Sequence, residues 1–183
     1  MITLKYIKDE IQKIAEAIEA VLEIDVTIVD ENLVRVAGTG IYVEKIGKKV
    51  NGYSAFKKSI IEQSNILITD PSCNEICKEC YSRSDCREFS EMCCPIVCEG
   101  KSYGVIGLIA FDSEQADRIN KDHENLINFL GKMADLISNK LKAQIKAYEL
   151  ELEKKKLETL LDSMDKAIVS IDVKGNIDRY NSK

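Results

Sequence analysis

The stretch "CPIVCEGKSYGVIGLIAFD", residues 94–112, decides the fold of this chain because it contains two apolar segments joined by a turn at Glu99–Gly100. The second segment, "YGVIGLIAF" at residues 103–111, has the length of a buried strand and is about half as long as a bilayer span requires. Within it, Gly104 and Gly107 favour a bend or a close packing contact. The stretch therefore predicts two consecutive strands and no membrane-spanning segment.

The segments that precede this pair alternate between helical and strand patterns. Apolar residues recur at three- and four-residue steps through residues 4–22, which predicts an amphipathic helix. Residues 24–40 combine strict alternation with a turn-prone centre and predict a hairpin. "YSAFKKSIIEQ", residues 53–63, has a helical period, and "NILITD", residues 65–70, is typical of a short strand. This order predicts an α+β domain built on an antiparallel sheet flanked by helices.

The C-terminal third changes character. From residue 126 to residue 152, apolar residues continue one helical stripe, and no glycine or proline follows Gly131 within it. We therefore predict a long C-terminal connector helix. Its strongly charged second half is either solvated or part of a coiled coil, and of these we prefer a coiled coil that joins two chains. The tail "DKAIVSIDVKGNIDRYNSK", residues 165–183, returns to alternation and predicts the start of a hairpin that is too short to close its own core.

Charge and composition exclude several classes of function. The net charge is −5, and Lys and Arg are scattered among Asp and Glu, so we expect no direct contact of this segment with nucleic acid. Charges run through the first 24 residues, which argues against a secretory leader. The sequence predicts a cytoplasmic location and no membrane association.

Six of the seven cysteines lie in "CNEICKECYSRSDCREFSEMCC", residues 73–94. In a reducing cytosol, clustered cysteines favour metal binding or redox chemistry over structural disulfides. Four thiolates within about twenty residues can converge on one ion or cluster. One CxxC pair with two longer gaps favours an iron–sulfur cluster over zinc, and reversible disulfide sensing stays open as an alternative. Cys98 is predicted to be a small buried core residue.

Three stretches, "VDENLVRVAGTGIY", "CKECYSRSDCREFSEMCCPI" and "GVIGLIAFDSEQ", resemble the GAF-like sensor domain at the N-terminus of sigma-54-dependent transcriptional regulators of anaerobic bacteria. The later stretch "LLDSMDKAIVSIDVKGNIDRYN" resembles the opening of a PAS domain. The resemblance covers nearly the whole chain. It implies a GAF-like domain over residues 1–140 with a cysteine loop at 73–98, a helical connector over 141–164, and the start of a PAS-like domain over 165–183.

The same resemblance implies a set of ligands. The recurring thiols of that family correspond to four cysteines, which are assigned as the ligands of a cofactor and its metal: Cys77, Cys80, Cys86 and Cys93. A 4Fe–4S cluster is the expected cofactor and zinc is the alternative. Cys73 and Cys94 depart from the family pattern, and either could replace one of the four.

These observations predict a sensory module of a transcriptional regulator, and not an enzyme. The leading hypothesis is a response to redox, oxygen or metal state through the iron–sulfur cluster, in a homodimer joined by the long C-terminal helix. The alternative is a module that binds a small metabolite while zinc or free thiols brace the cysteine loop. A thiol redox enzyme is the third hypothesis, and it would need a cysteine of lowered pKa beside a base or a helix N-terminus.

Overall fold

The computed structural model describes residues 2–50, 54–78, 80 and 86–181. The helices are α1 (Lys8–Leu22), α2 (Ala55–Glu62), α3 (Glu75–Lys78), α4 (Ser113–Lys121) and α5 (His123–Asp162). The strands are β1 (Asp25–Asp30), β2 (Arg35–Gly38), β3 (Ile66–Ile68), β4 (Ser90–Cys98), β5 (Lys101–Ala110), β6 (Val169–Ile171) and β7 (Ile177–Tyr180). Two 3₁₀ helices, Leu4–Ile7 and Gly40–Lys45, complete the described elements.

The chain divides into two compact units, Met1–Lys142 and Ala143–Lys183. In the first unit the strands form one five-stranded sheet in the order β2-β1-β5-β4-β3, and all of its neighbouring strands pair antiparallel. The predicted α+β architecture, with an antiparallel sheet flanked by helices and a long C-terminal helix, is confirmed.

The strand pair predicted from residues 94–112 forms the centre of this sheet. β4 and β5 pair from Ser90 opposite Ala110 to Cys98 opposite Lys101, and β5 also pairs with β1. β4 begins at Ser90, earlier than the sequence pattern indicates, so both Cys93 and Cys94 belong to the strand. Since neighbouring residues of a strand point to opposite faces, these two thiols lie on different sides of the sheet.

One face of the sheet carries an apolar cluster beneath α2 and the second 3₁₀ helix. The buried members of this cluster are Val29, Leu33, Tyr42, Ala55, Phe56, Ile68, Cys93, Val105 and Ile109. Gly107 lies under α2, where a Cβ atom would stand 2.6 Å from Phe56 Cε1. The glycine therefore lets the Phe56 ring lie directly on the strand, as the close packing expected from the sequence requires.

The opposite face is covered by helices from both ends of the unit. Ile11, Ala15 and Ile18 of α1 are buried, as are Leu130, Ile137 and Leu141 of α5. The hydroxyl of Ser138 donates to the carbonyl oxygen of Val97 at 2.9 Å, which ties α5 to β4. This face buries the amphipathic stripes that the three- and four-residue spacing predicts.

The second unit contains the end of α5 and a two-stranded antiparallel pair, β6 and β7. Every residue of both strands is exposed within this unit. Asn181 is the buried exception beside them, and its amide nitrogen donates to the carbonyl oxygens of Leu161 and Lys166 at 3.1 and 2.9 Å. The short hairpin predicted in the tail is thus present.

Over residues 2–50, 54–78, 80 and 86–181, no helix combines the length and the apolar character that crossing a membrane requires.

Candidate functional site

A cavity of about 1430 Å³ lies in the first unit, on the same face of the sheet as α2. Its lining residues come from β1, β2, the 3₁₀ helix Gly40–Lys45, α2, the segment between β3 and β4, and the start of α4. Apolar and aromatic side chains form much of the wall: Ile41, Tyr42, Val50, Phe56, Ile68, Phe89 and Phe111. A concave apolar space with a few polar groups is the usual form of a small-molecule site.

Four side chains place charge and aromatic surface next to each other in this wall. The guanidinium carbon of Arg35 lies 5.0 Å from the centroid of the Tyr42 ring, and the Tyr42 hydroxyl donates to Glu88 Oε1 at 3.3 Å. The Tyr42 and Phe111 ring centroids are 5.9 Å apart. The buried Nε of Arg35 has no hydrogen-bond partner in the described structure. The Nε–H of Arg35 is therefore a buried, unsatisfied donor within the wall of the cavity.

Burial changes the ionisation of this group of side chains. Burial lowers the pKa of Arg35 and raises the pKa values of Tyr42 and Glu88. For Tyr42, the nearby Glu88 carboxylate adds to the rise in its pKa. The cavity wall thus disfavours isolated charge, and a ligand that pairs with Arg35 or with Glu88 would be held by a strengthened interaction.

Glu91 is the deepest acidic group of the wall. It lies on β4 opposite Ile68 and Ile109 and is 7% exposed. Burial, together with Glu88, raises the pKa of Glu91 to about 8. Its Oε1 accepts a hydrogen bond from the Cys93 thiol at a donor–acceptor distance of 3.3 Å. Glu91 is therefore mostly protonated at neutral pH and can offer an O–H donor to the cavity.

The cysteines predicted as ligands occupy two environments. Cys77, Cys80 and Cys86 line the cavity, whereas Cys93 is fully buried in the apolar cluster of the sheet. Burial, with Glu91 as the next contribution, raises the pKa of Cys77 to about 11. Burial raises the pKa of Cys93 well above its ordinary value.

The described thiols do not form a ready metal centre. Among the parts of the chain that the structure describes, no group of three or more His, Cys, Asp or Glu side chains could hold a metal ion. Residues 79 and 81–85 of the predicted cysteine loop lie outside the described residues. The ligand set Cys77, Cys80, Cys86 and Cys93 and its cluster therefore stay predictions.

The other three cysteines lie away from the cavity wall. Cys73 is exposed, and Cys94 and Cys98 are buried in β4; the predicted burial of Cys98 as a small core residue is confirmed. Burial, followed by the charge of Asp135 on α5, raises the pKa of Cys94 to about 11. Cys94 thus faces the helical side of the sheet and not the cavity.

The cavity is joined to the helices that leave the unit through α4. Asp112 caps this helix by accepting a hydrogen bond from the backbone N–H of Gln115 at 2.8 Å, and both residues line the cavity. The Gln115 amide also donates to the carbonyl oxygen of Glu23 at 3.0 Å, where α1 ends. α5 begins directly after α4, at His123. Helix α4 therefore connects the cavity wall to the end of α1 and to the start of α5.

Sequence patterns pointed to the thiols and missed the polar cluster around Arg35, Tyr42, Glu88 and Glu91. These four residues come from three separated segments, and none forms a short motif with another. One signal was available. "SEMCCPIVC", the sequence of β4, places an acidic residue on an otherwise apolar strand, which is unusual unless that residue has a function.

Comparison with known proteins agrees with this architecture. The chain is 29% identical over 180 residues to the putative uric acid sigma-54-dependent transcriptional regulator UacR of Escherichia coli strain K12. The match covers 97% of this chain and 30% of that regulator, so the chain spans less than a third of the relative. The resemblance to sigma-54-dependent regulators expected from the sequence is confirmed.

Solved structures share the fold at low identity. The GAF domain of a phosphoenolpyruvate-protein phosphotransferase from Coxiella burnetii has a TM-score of 0.58 at 13% identity, covering 82% of this chain and 88% of that one. The type II free methionine-R-sulfoxide reductase from Thermoplasma acidophilum has a TM-score of 0.55 at 15% identity, covering 75% and 94%. The predicted GAF fold is confirmed, and the fold is shared by a GAF domain and by an enzyme.

One family matches residues 7–135, which include the whole sheet and the cavity. Its description is "Stage V sporulation protein T C-terminal, transcription factor". The chain belongs to this transcription factor family.

Proposed function

We propose that this chain is the sensory module of a sigma-54-dependent transcriptional regulator, and that it binds a small effector molecule in the cavity beside α2. The observation that carries the proposal is the cavity itself, whose wall combines aromatic rings with the side chains of Arg35 and Glu88. Such a wall suits recognition of a small polar ring system. In this proposal the module works in the cytoplasm and is a sensor, not an enzyme.

The effector class that fits best is a planar heterocycle rich in N–H and C=O groups, such as an oxopurine. Phe89 and Phe111 line the cavity and offer ring surface for stacking. Arg35 contributes guanidinium N–H groups to the same wall, and Glu88 contributes an acceptor for ring N–H groups. The likeness to a regulator whose name refers to uric acid supports the same class. Uric acid is therefore the first probe to test.

The signal leaves the cavity through α4, in this proposal, and is carried by α5 between two copies of the chain. An apolar stripe continues on the distal part of α5, where Leu150, Leu157 and Leu160 are exposed. A coiled coil with a second copy would cover such a stripe. The dimer is thus part of the proposal, and its stoichiometry can be measured by analytical ultracentrifugation.

Isothermal titration calorimetry of the reduced protein with uric acid tests the proposal. We expect saturable binding, and we expect R35M to weaken it by about tenfold or more, because a hydrogen bond from a charged donor contributes about 1.5–3 kcal/mol. Arg179→Met, an exposed arginine of the second unit, is the matched control and should bind as the wild type does. Equal affinity in R35M and the wild type would place the effector elsewhere.

A second candidate is the predicted iron–sulfur response. It is favoured by one observation: Cys77, Cys80 and Cys86 line the same cavity wall, and the charges of Cys86 and Cys80 add to the burial that raises the pKa of Cys77. Thiols that oppose one another's ionisation in this way are stabilised as thiolates by a bound cation. A bound cluster would supply sensitivity to oxidants at this wall.

Anaerobic purification followed by iron and acid-labile sulfide analysis tests the second candidate. A 4Fe–4S cluster predicts about four iron and about four sulfide per chain and a brown protein. Cys80→Ser should lose the iron, whereas Cys98→Ser, a buried thiol away from the cavity wall, should retain it. A colourless wild-type protein that binds uric acid would rule out the iron–sulfur cluster and support the binding of a small effector.

A further inference from the structure

We propose that Cys77 and Cys80 form a reversible disulfide in the cavity wall, and that this oxidation weakens effector binding in the cavity. The regulatory half rests on the proposed ligand-binding function. The disulfide itself rests on the geometry of the turn that carries the two cysteines.

The backbone brings the two residues within bonding range. The N–H of Cys80 donates to the carbonyl oxygen of Cys77, with an N···O distance of 3.2 Å. A hydrogen bond between residues i and i+3 is typical of a turn whose end Cα atoms lie less than about 7 Å apart. Disulfides span Cα separations of about 4.4–6.8 Å. This hydrogen bond therefore holds the backbones of Cys77 and Cys80 at a separation that a disulfide can bridge.

The preceding residues stabilise this turn. The N–H of Cys77 donates to the carbonyl oxygen of Asn74 at 3.1 Å, and the side-chain oxygen of Asn74 accepts from the N–H of Ile76 at 2.9 Å. Asn74 therefore caps the short helix α3 with its own side chain. Because the hydrogen bond from Cys80 to Cys77 already brings the two backbones together, closing the disulfide costs little rearrangement.

Both thiols lie in the cavity wall, where formation of a disulfide would alter the shape of the cavity. Cys77 and Cys80 are half-buried and line the cavity, and Cys77 also packs against the apolar cluster that includes Phe56 and Ile68. A bond to Cys80 would draw the sulfur of Cys77 towards the turn and away from this cluster. The wall would lose apolar contacts and change shape, which is the reason for the expected loss of affinity.

Other described thiols could compete with Cys77 or Cys80 as disulfide partners, and their environments differ. Cys93 is fully buried and donates to Glu91, and Cys73 is exposed and outside the cavity wall. Cys86 lines the same cavity and is the strongest competitor. The test must therefore map which pair forms, and not only count thiols.

Exchange with a low-molecular-weight disulfide such as oxidised glutathione supplies the oxidant. The thiolate of Cys80, which does not pack against the apolar cluster, attacks one glutathione sulfur, forms a mixed disulfide and releases one glutathione thiolate. The thiolate of Cys77 then attacks the Cys80 sulfur, closes the protein disulfide and releases the second glutathione. Two electrons pass from the protein thiols to glutathione, and the two thiol protons leave with the released thiolates or in water.

The disulfide is tested by equilibrating the protein in buffers of increasing oxidised-to-reduced glutathione ratio, trapping thiols with an alkylating agent and mapping peptides by mass spectrometry. We expect a Cys77–Cys80 bond that dithiothreitol reverses, that is absent from C77S and C80S, and that forms normally in the control C73S. A bond from Cys77 or Cys80 to Cys86, no loss of free thiols, or thiols occupied by bound iron would each overturn the proposal.

The regulatory half is tested by titrating uric acid into the reduced and oxidised protein. We expect the oxidised wild type to bind at least about fivefold more weakly, the lower end of typical coupling between two sites. C77S and C80S should bind equally well with and without oxidised glutathione. Equal affinities of both wild-type forms would overturn the regulatory half. If the reduced protein binds no uric acid while the disulfide forms, the proposed function and the regulatory half fall together and the disulfide stands.

Discussion

Replacing Glu91 by Gln removes the most deeply buried acid of the cavity wall, and its effect can be calculated from the structure. Burial and the neighbouring Glu88 raise the pKa of Glu91 from 4.5 to about 8. The hydrogen bond that Glu91 accepts from the Cys93 thiol and the charge of Arg35 oppose this rise. Between these two values the folded protein holds a proton that the unfolded chain releases. The folded state therefore binds more protons, and stability falls as the pH rises.

The size of this loss follows from the linkage relation. The contribution of Glu91 is fully present below pH 4.5 and is lost as the pH rises through about 8. Each pH unit well inside that window removes about 1.4 kcal/mol from the free energy of unfolding, and the decline flattens near the upper end. Between pH 6 and pH 8 the wild type should lose about 2 kcal/mol through this one group.

Urea unfolding followed by circular dichroism at pH 6, 7 and 8 measures this loss. E91Q keeps an amide oxygen that can accept from Cys93 but has no titrating proton, so it should gain about 2 kcal/mol relative to the wild type from pH 6 to pH 8. E62Q, which neutralises an exposed glutamate of α2, is the matched control and should follow the wild type. If the stability of the wild type and of E91Q changes in parallel with pH, Glu91 is not a buried neutral acid and the reasoning fails.

Three further substitutions test the packing around the cavity, each by the urea midpoint. G107A places a Cβ atom 2.6 Å from Phe56 Cε1 and should cost about 1–3 kcal/mol, and an unchanged midpoint would show that α2 can move away freely. I119A empties a fully buried site of α4 and should cost about 2–5 kcal/mol, unless the helix collapses into the space. S90A removes the 2.8 Å hydrogen bond to the carbonyl oxygen of Ile68 and should cost about 1–3 kcal/mol, and a neutral effect would contradict burial of that carbonyl.

The sequence predicted the elements whose patterns are local. Helix α1 and the first part of α5 bury stripes that recur every three or four residues, and β5 is a continuous apolar run because both of its faces are covered. The hairpin turn at Glu99–Gly100 was also readable, and both residues have positive φ there. Helix α4 was not predicted as an element separate from α5, since the apolar stripe identified in the sequence begins only at residue 126.

The candidate site could be predicted only in part from the sequence, for a different reason. The cysteines are close in sequence, so their clustering was visible, whereas Arg35, Tyr42, Glu88 and Phe111 meet only because the strand order places β2 and β4 on either side of β1 and β5. The periodicity of a sequence carries no information about contacts between segments that are so far apart in the chain.

By itself, then, the sequence determined most of the helices and strands, though not α3 or the separate α4, the antiparallel α+β class, and the concentration of thiols between β3 and β4. The tertiary structure alone decided that Cys77 and Cys80 face a cavity while Cys93 is buried beneath it, and that Glu91 is a buried acid beside them. The physical reason is that backbone preferences and amphipathic spacing act over a few residues, whereas burial and the pKa values that follow from it depend on what the finished fold places around a side chain.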